Sequence, residues 1–203
     1  MIETERAYLA GLFDGDGSVF MTKHFDKALG RENIVLSVGF SMQSRLTLEW
    51  IAQRFGGNVM EPHTNHRAFM YRASAKRALS IVEAVSPYVV TKKPQINFVL
   101  WVYPLVFKDA RGGWGTHVNL GGTILELRNM CYEILHLINK RDSMGFHGKS
   151  GEFSERLTPL MVKMMDMLTL SQAAEGEGSA EGATTSQVSP NNNPDQERPT
   201  SVH

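Results

Sequence analysis

Two aspartates, Asp14 and Asp16, stand among three glycines in the stretch LAGLFDGDGSVF, residues 9–20. Carboxylates in a short glycine-rich run can ligate a hard cation, because oxygen is the donor such ions prefer. They can also serve as plain helix-end and turn residues, since glycine stops helices and aspartate bonds nearby backbone. A calcium-binding helix-loop-helix would place Asp14, Asp16 and Ser18 at its first, third and fifth ligand positions. Its sixth position requires glycine and its twelfth a bidentate glutamate, and the chain has Val19 and Phe25 there. A strand pattern, not a helix, follows the run, so the calcium loop does not fit.

The residues before the aspartates change the reading. Over Glu5 to Asp14, Leu9, Leu12 and Phe13 share one helical face, while Ala7, Gly11 and Gly15 recur every four residues on another. A stripe of small residues lets a second helix approach to backbone contact. If that helix belongs to a second copy of the chain, a two-fold axis runs between them and brings the two Asp16 carboxylates together. Two such charges repel strongly unless cations neutralise them, which makes the arrangement costly except as a divalent-metal site.

The elements that must position these residues alternate in type. Residues 18–26 read as a strand with Val19, Met21 and Phe25 on one face and Phe20, Thr22 and His24 on the other. NIVLSVGFSM (33–42) is a clearer strand, with Ile34, Leu36, Val38, Phe40 and Met42 alternating with Val35, Ser37, Gly39 and Ser41. LTLEWIAQRF is a helix stopped by Gly56-Gly57. Residues 58–62 and 67–73 read as a hairpin around HTNH. A helix follows with Ser74 as its N-cap, and Pro94 suits the first turn of another helix over 94–107. Residues 108–122 read as a loop, and two more helices follow over 123–139 and 155–170. The order α-β-β-α-β-β-α plus extra helices implies an α+β fold, with a four-stranded antiparallel sheet covered on one face. The domain is expected over 1–170. The tail 171–203 is rich in Gly, Ser, Asn, Pro and Glu, and disorder is expected from about 172 onward.

Composition narrows the function classes. The chain has 203 residues, zero net charge and one cysteine, which excludes a disulfide framework and a cysteine zinc site. Five acids and one base lie in the tail, so residues 1–170 hold 20 bases and 16 acids, a net of +4 compatible with nucleic-acid binding. No signal peptide is read at the start, and INFVLWVYPLVF is too short to span a bilayer, so no membrane partner is expected. His63, His66 and His117 invite a metal reading, but the first two sit in a hairpin and no third ligand has a matching spacing. Nothing after residue 100 repeats LAGLFDGDG.

LAGLFDGDG closely resembles the signature of the LAGLIDADG homing endonucleases, differing at Phe13 and Gly15. FSMQSRLTLEWIAQRFGG resembles that family's second strand and following helix, and PYVVTKKPQ its Pro-aromatic stretch, lysine and downstream Gln; the likeness runs over roughly residues 5–170. With a single copy of the motif, the chain resembles the homodimeric branch typified by algal chloroplast intron enzymes. The resemblance implies the αββαββα fold, with a saddle-shaped sheet on DNA and two or more Mg2+ ions at the dimer axis. It implies Asp16 as the metal-binding acid, one per subunit, and the Gly15 carbonyl as a further ligand. Ala7, Gly11, Asp14 and Gly15 would form the dimer interface, Asp14 through hydrogen bonds at the helix end. Lys92 aligns with the active-site lysine, and Lys93 would hold phosphate. Gln43 matches the residue that orients water, although Ser44 continues the strand's even-numbered register and stays an alternative.

Base-reading residues are expected on the uncovered sheet face, since two-stranded ribbons fit the major groove. They are Thr22, His24, Asp26, Ser37 and Ser41, with Arg67 and Tyr71 from the fourth strand. The GWGTHVN loop and the late helices would contact the DNA backbone or brace the dimer. The activity implied is intron homing: Mg2+-dependent, double-strand DNA cleavage across the minor groove of a long, pseudo-palindromic target, leaving 3′ overhangs. By resemblance the host compartment is an organelle or a prokaryotic cytoplasm. Two other readings use the same scaffold without cleavage, an RNA-holding intron maturase and a DNA-binding regulator. Maturases tend to lose the acidic ligand, which is present here as Asp16.

Overall fold

The structure is a computed structural model, and it describes residues 1–27, 30–62, 67–107, 122–143 and 150–178, with side chains at 26, 31, 141–143, 150–153 and 171–178 outside the description. Ten elements follow one another: α1 (Glu3–Asp16), β1 (Gly17–Asp26), β2 (Arg31–Met42), α2 (Arg45–Phe55), β3 (Asn58–Met60), β4 (Phe69–Ser74), α3 (Lys76–Val85), α4 (Lys93–Val106), α5 (Gly122–Ser143) and α6 (Ser150–Gly178). The α-β-β-α-β-β-α order is as expected from the sequence. The four strands form one sheet in the order β1-β2-β4-β3, and every neighbouring pair is antiparallel.

Register follows from alternation. Val19 and Met21 of β1, Ile34, Leu36, Val38 and Phe40 of β2, and Tyr71 and Ala73 of β4 are buried in one cluster with Leu9 and Phe13 of α1, Leu48 and Ile51 of α2 and Ile81, Val82 and Val85 of α3. Because strand side chains alternate between faces, the intervening residues occupy the opposite, uncovered side. Phe13 meets Phe40 edge-on with centroids 5.8 Å apart, which seats α1 on the sheet. On the same covered side α5 runs along β1: Asn139 donates to the Val19 carbonyl at 2.9 Å, and the Lys23 ammonium sits 4.3 Å from the centre of the Tyr132 ring.

Helix ends show where local signals hold. Ser44 caps α2, its hydroxyl accepting from the Thr47 N–H at 3.3 Å, and Pro94 lies in the first turn of α4. Gly57 has φ +96°, and a Cβ there would come within 2.7 Å of the Arg72 carbonyl oxygen, so α2 can turn into β3 only through glycine. Ser74 is not the cap of α3: it is the last residue of β4, and Ala75 at φ 53° precedes the helix without a side-chain cap. Its hydroxyl is spent across the sheet, 3.1 Å from the Ser37 hydroxyl. Helix α6 runs to Gly178, beyond the boundary at 170 read from composition.

The chain divides into two units, Met1–Leu168 and Thr169–His203. The first holds the sheet and its core. The described part of the second is the helical stretch 169–178. Among the described residues no helix is long and apolar enough to cross a membrane.

Candidate metal-binding carboxylates and nucleic-acid interface

Helix α1 does not stop at its first glycine. It continues through Gly15 and Asp16, and Gly17 closes it with its N–H directed at the Leu12 and Phe13 carbonyls. A Cβ on Gly17 would lie 2.7 Å from the Phe13 Cα, so only glycine lets the strand leave the helix at this point. The last carbonyls of a helix lack intrahelical donors. One of them is served from a distance: the Lys92 ammonium donates to the Phe13 carbonyl at 2.9 Å, and to the carbonyl of the closing Gly17 at 2.5 Å.

The two aspartates have opposite surroundings. Asp14 accepts the Val90 N–H at 2.7 Å on one oxygen and the Lys92 N–H at 3.0 Å on the other. Both its oxygens therefore tie α1 to the turn that presents Lys92, within one chain. Asp16, one helical step further, is exposed and makes no hydrogen bond or ion pair with the described residues. The last turn of α1 contains no base. A negative charge at a helix C-terminus opposes the macrodipole, so Asp16 brings the isolated chain no electrostatic benefit there.

Ala7, Gly11 and Gly15 form a bare face. All three are exposed, and a Cβ built on Gly11 or Gly15 meets nothing within 4 Å. Among the described residues nothing requires glycine at either position. Exposed Ile2 and Tyr8 continue the apolar character of this helix, and Tyr8 leans edge-on against Trp50 of α2 at 5.6 Å.

The uncovered sheet face carries most of the residues expected there. Thr22 is half-buried and His24 and Ser41 are exposed, all on the uncovered side. Ser37 is on the same side but only 2% exposed, since its hydroxyl lies between those of Thr22 (3.2 Å) and Ser74 (3.1 Å). It braces the strands and has little surface left for a ligand. Tyr71 is a correction. It points to the covered side, is 1% exposed, and donates its hydroxyl to the Gly56 carbonyl at 2.6 Å. Pairing of Phe40 with Tyr71 puts both in the core, and burial pushes the Tyr71 phenol up to about 12.

The residue that β4 does present is Arg72, which sequence reading missed. Its guanidinium lies 5.1 Å from the centre of the Phe20 ring and donates to the Thr22 hydroxyl at 2.8 Å. The signal was the alternation of Phe69, Tyr71 and Ala73 with Met70, Arg72 and Ser74. Arg67 is exposed just before β4, and Lys93 is exposed at the start of α4. The backbone of Asp26 ends β1, and its side chain lies outside the described residues, as do His63, His66, His117 and the GWGTHVN loop.

Gln43 is exposed immediately after β2. Register sets Phe40 opposite Gly17, so the end of β2 runs past the junction where α1 becomes β1, toward Asp16. Ser44, the alternative, is committed to capping α2, with its hydroxyl also 2.8 Å from the Thr47 hydroxyl. Gln43, by contrast, makes no hydrogen bond with the described residues.

One chain offers a partial site for a cation. Among the described residues no group of three or more His, Cys, Asp or Glu side chains could hold a metal. Asp16 supplies an unspent carboxylate, and Gly15 lies in the turn whose carbonyls have no helical donor. These are oxygen donors and suit a hard divalent ion, with the remaining positions left to a second copy, phosphate oxygens and water.

No protein-family model and no curated protein matches the chain. Solved structures do. The homing endonuclease I-CvuI, in complex with its target in the presence of calcium, aligns at TM-score 0.53 and 17% identity over 79% of this chain and 94% of that one. The archaeal intron-encoded homing endonuclease I-Vdi141I, complexed with DNA, aligns at TM-score 0.50 and 15% identity over 83% and 98%. The meganuclease I-SmaMI, bound to uncleavable DNA, aligns at 0.50 and 14% over 63% of this chain but 43% of that one. The chain spans nearly all of the first two and under half of the third, consistent with its single copy of the motif. It thus resembles the LAGLIDADG homing endonucleases in its helix signature, and it has their α+β fold.

Proposed function

We propose that the chain is a site-specific double-strand DNA endonuclease that acts as a homodimer with Mg2+. The observation that carries this reading is the exposed Asp16, without a partner among the described residues, at the end of a helix whose Ala7–Gly11–Gly15 face those residues leave bare. A second copy packed on that face would bring both Asp16 carboxylates to the axis, beneath two uncovered sheets that together form one long saddle. The fold shared with DNA-bound homing endonucleases supports it, as does the calcium present with the I-CvuI complex.

In this reading Asp16 and the Gly15 carbonyl of each copy hold divalent ions. When bound, such ions polarise a phosphodiester, activate water and stabilise the leaving 3′-oxygen. The chain's own residues do the rest. Asp14 fixes the 90–92 turn, which sets the Lys92 ammonium at the helix end, where its charge favours the developing negative phosphorane. Gln43 orients water. Thr22, His24, Ser41 and Arg67 face the grooves, and Lys93 meets phosphate. A long pseudo-palindromic target, cleavage across the minor groove and 3′ overhangs complete the proposal, with residues 1–170 as the working domain.

The test is a supercoiled plasmid library incubated with protein and Mg2+. Linear products with cuts at a defined sequence are expected, and Asp16→Asn should bind that sequence without cutting it. A library left intact by the wild-type protein under every divalent ion would leave a maturase or a DNA-binding regulator in its place.

A further inference from the structure

Resting on the reading of the uncovered face as a DNA surface, we propose that Arg72 is a specificity-determining residue that reads one guanine in each half of the target. β4 is an interior strand, and Arg72 lies between Gly39 of β2 and Asn58 of β3 in the register. Gly39 has no side chain, so the guanidinium crosses β2 and reaches β1. There it lies over the Phe20 ring, 5.1 Å from the ring centre, and donates one N–H to the Thr22 hydroxyl at 2.8 Å.

These two contacts restrain a long side chain that is otherwise flexible. The aromatic face and a single anchoring bond hold the fork while leaving its other donors unspent among the described residues. A rigid planar fork presented from a sheet into a major groove matches the O6 and N7 acceptors of guanine, the commonest specific arginine contact. A phosphate-binding lysine or arginine needs no such restraint, because a phosphate accepts a point charge from many directions. Thr22 is then a positioning residue that acts through Arg72. Two copies related by a two-fold axis read two symmetric positions.

The test selects bound sequences from a duplex library randomised across the whole footprint, in calcium, for the wild-type protein, Arg72→Ala and Arg72→Lys. Wild type should require guanine at one position per half-site. Arg72→Ala should lose that preference alone, with binding to the guanine-bearing duplex weakened about 10- to 100-fold. Arg72→Lys keeps the charge but not the fork and should recover less than half of the preference. Thermal melting of both variants near wild type shows that the fold is intact. An unchanged preference in Arg72→Ala overturns the inference, as does a uniform loss on all sequences with a salt slope lower by about one, the signature of a phosphate contact. A wild-type protein that selects no sequence overturns the DNA reading and this inference together.

Discussion

Asp14 and Asp16 sit two residues apart in one helix, and their removal should have opposite effects. Asp14→Ala leaves two backbone N–H groups without an acceptor. The bond to Lys92 is half-buried at 3.0 Å, and a charge-assisted bond of that kind contributes about 1.5–3 kcal/mol. The bond to Val90 is at 2.7 Å, but Val90 is 79% exposed, so water replaces it at a cost of about 0.5 kcal/mol. The sum is a loss of about 2–3.5 kcal/mol, and cleavage falls because the turn carrying Lys92 is released. Asp16→Asn removes a negative charge from the end of a helix with no base in its last turn and breaks no bond to a described residue. Stability should stay level or rise by up to about 1 kcal/mol. Cleavage should disappear. Urea unfolding of the three proteins at low salt, beside cleavage of a selected target, measures both quantities. An Asp16→Asn protein destabilised as much as Asp14→Ala would show that Asp16 is a structural residue and that the division of roles is wrong.

Other substitutions probe the remaining parts. A Cβ at Gly11 meets nothing among the described residues, so Gly11→Leu should improve helix propensity by about 0.7 kcal/mol, yet it should clash by about 1–3 kcal/mol per copy at a helix–helix contact. Sedimentation should find a folded, inactive monomer; an active dimer would refute the assigned face. Tyr71→Phe loses the bond to the Gly56 carbonyl and should cost about 1–2 kcal/mol without altering base preference, as site selection would show. Burial holds both Tyr71 and Cys131 protonated to about 12, against ordinary values of 10.0 and 9.0. Unfolded chains bind fewer protons above those values, so stability should fall as pH rises through 9, by up to about 1.4 kcal/mol per pH unit for each group. Urea midpoints that stay flat between pH 9 and 11 would contradict the burial of these side chains.

How far the sequence carried depends on whether the determining contact is local. Strand β2 was legible because its alternation is complete, with Ile34, Leu36, Val38 and Phe40 all buried. The stop at Gly56-Gly57 and the place of Pro94 were legible because their backbone requirements are local too. The end of α1 was not. Gly15 reads as a stop signal, but Lys92 and the 90–92 turn, more than seventy residues away, serve the Phe13 carbonyl and Asp14 while the helix runs two residues further. The face of Tyr71 was misread because β4 is six residues long, and its phase is set by pairing with β2. The same error hid Arg72. Ser74 reads as a cap by type, and its hydroxyl goes instead to Ser37 on a neighbouring strand. Among the candidate site residues, the two aspartates and their separate roles were read from the motif and the resemblance, whereas the partners of Asp14, the Val90 and Lys92 N–H groups of the same chain, depended on tertiary contacts.

The central claim is that two copies meet along α1 so that their Asp16 carboxylates share one divalent-ion site on DNA. The most direct measurement is the number of chains bound per duplex, taken by sedimentation on the selected target in calcium. The account predicts two chains on one duplex, assembled cooperatively and lost in Gly11→Leu. A single chain on the duplex that still cuts both strands once magnesium is supplied would contradict it.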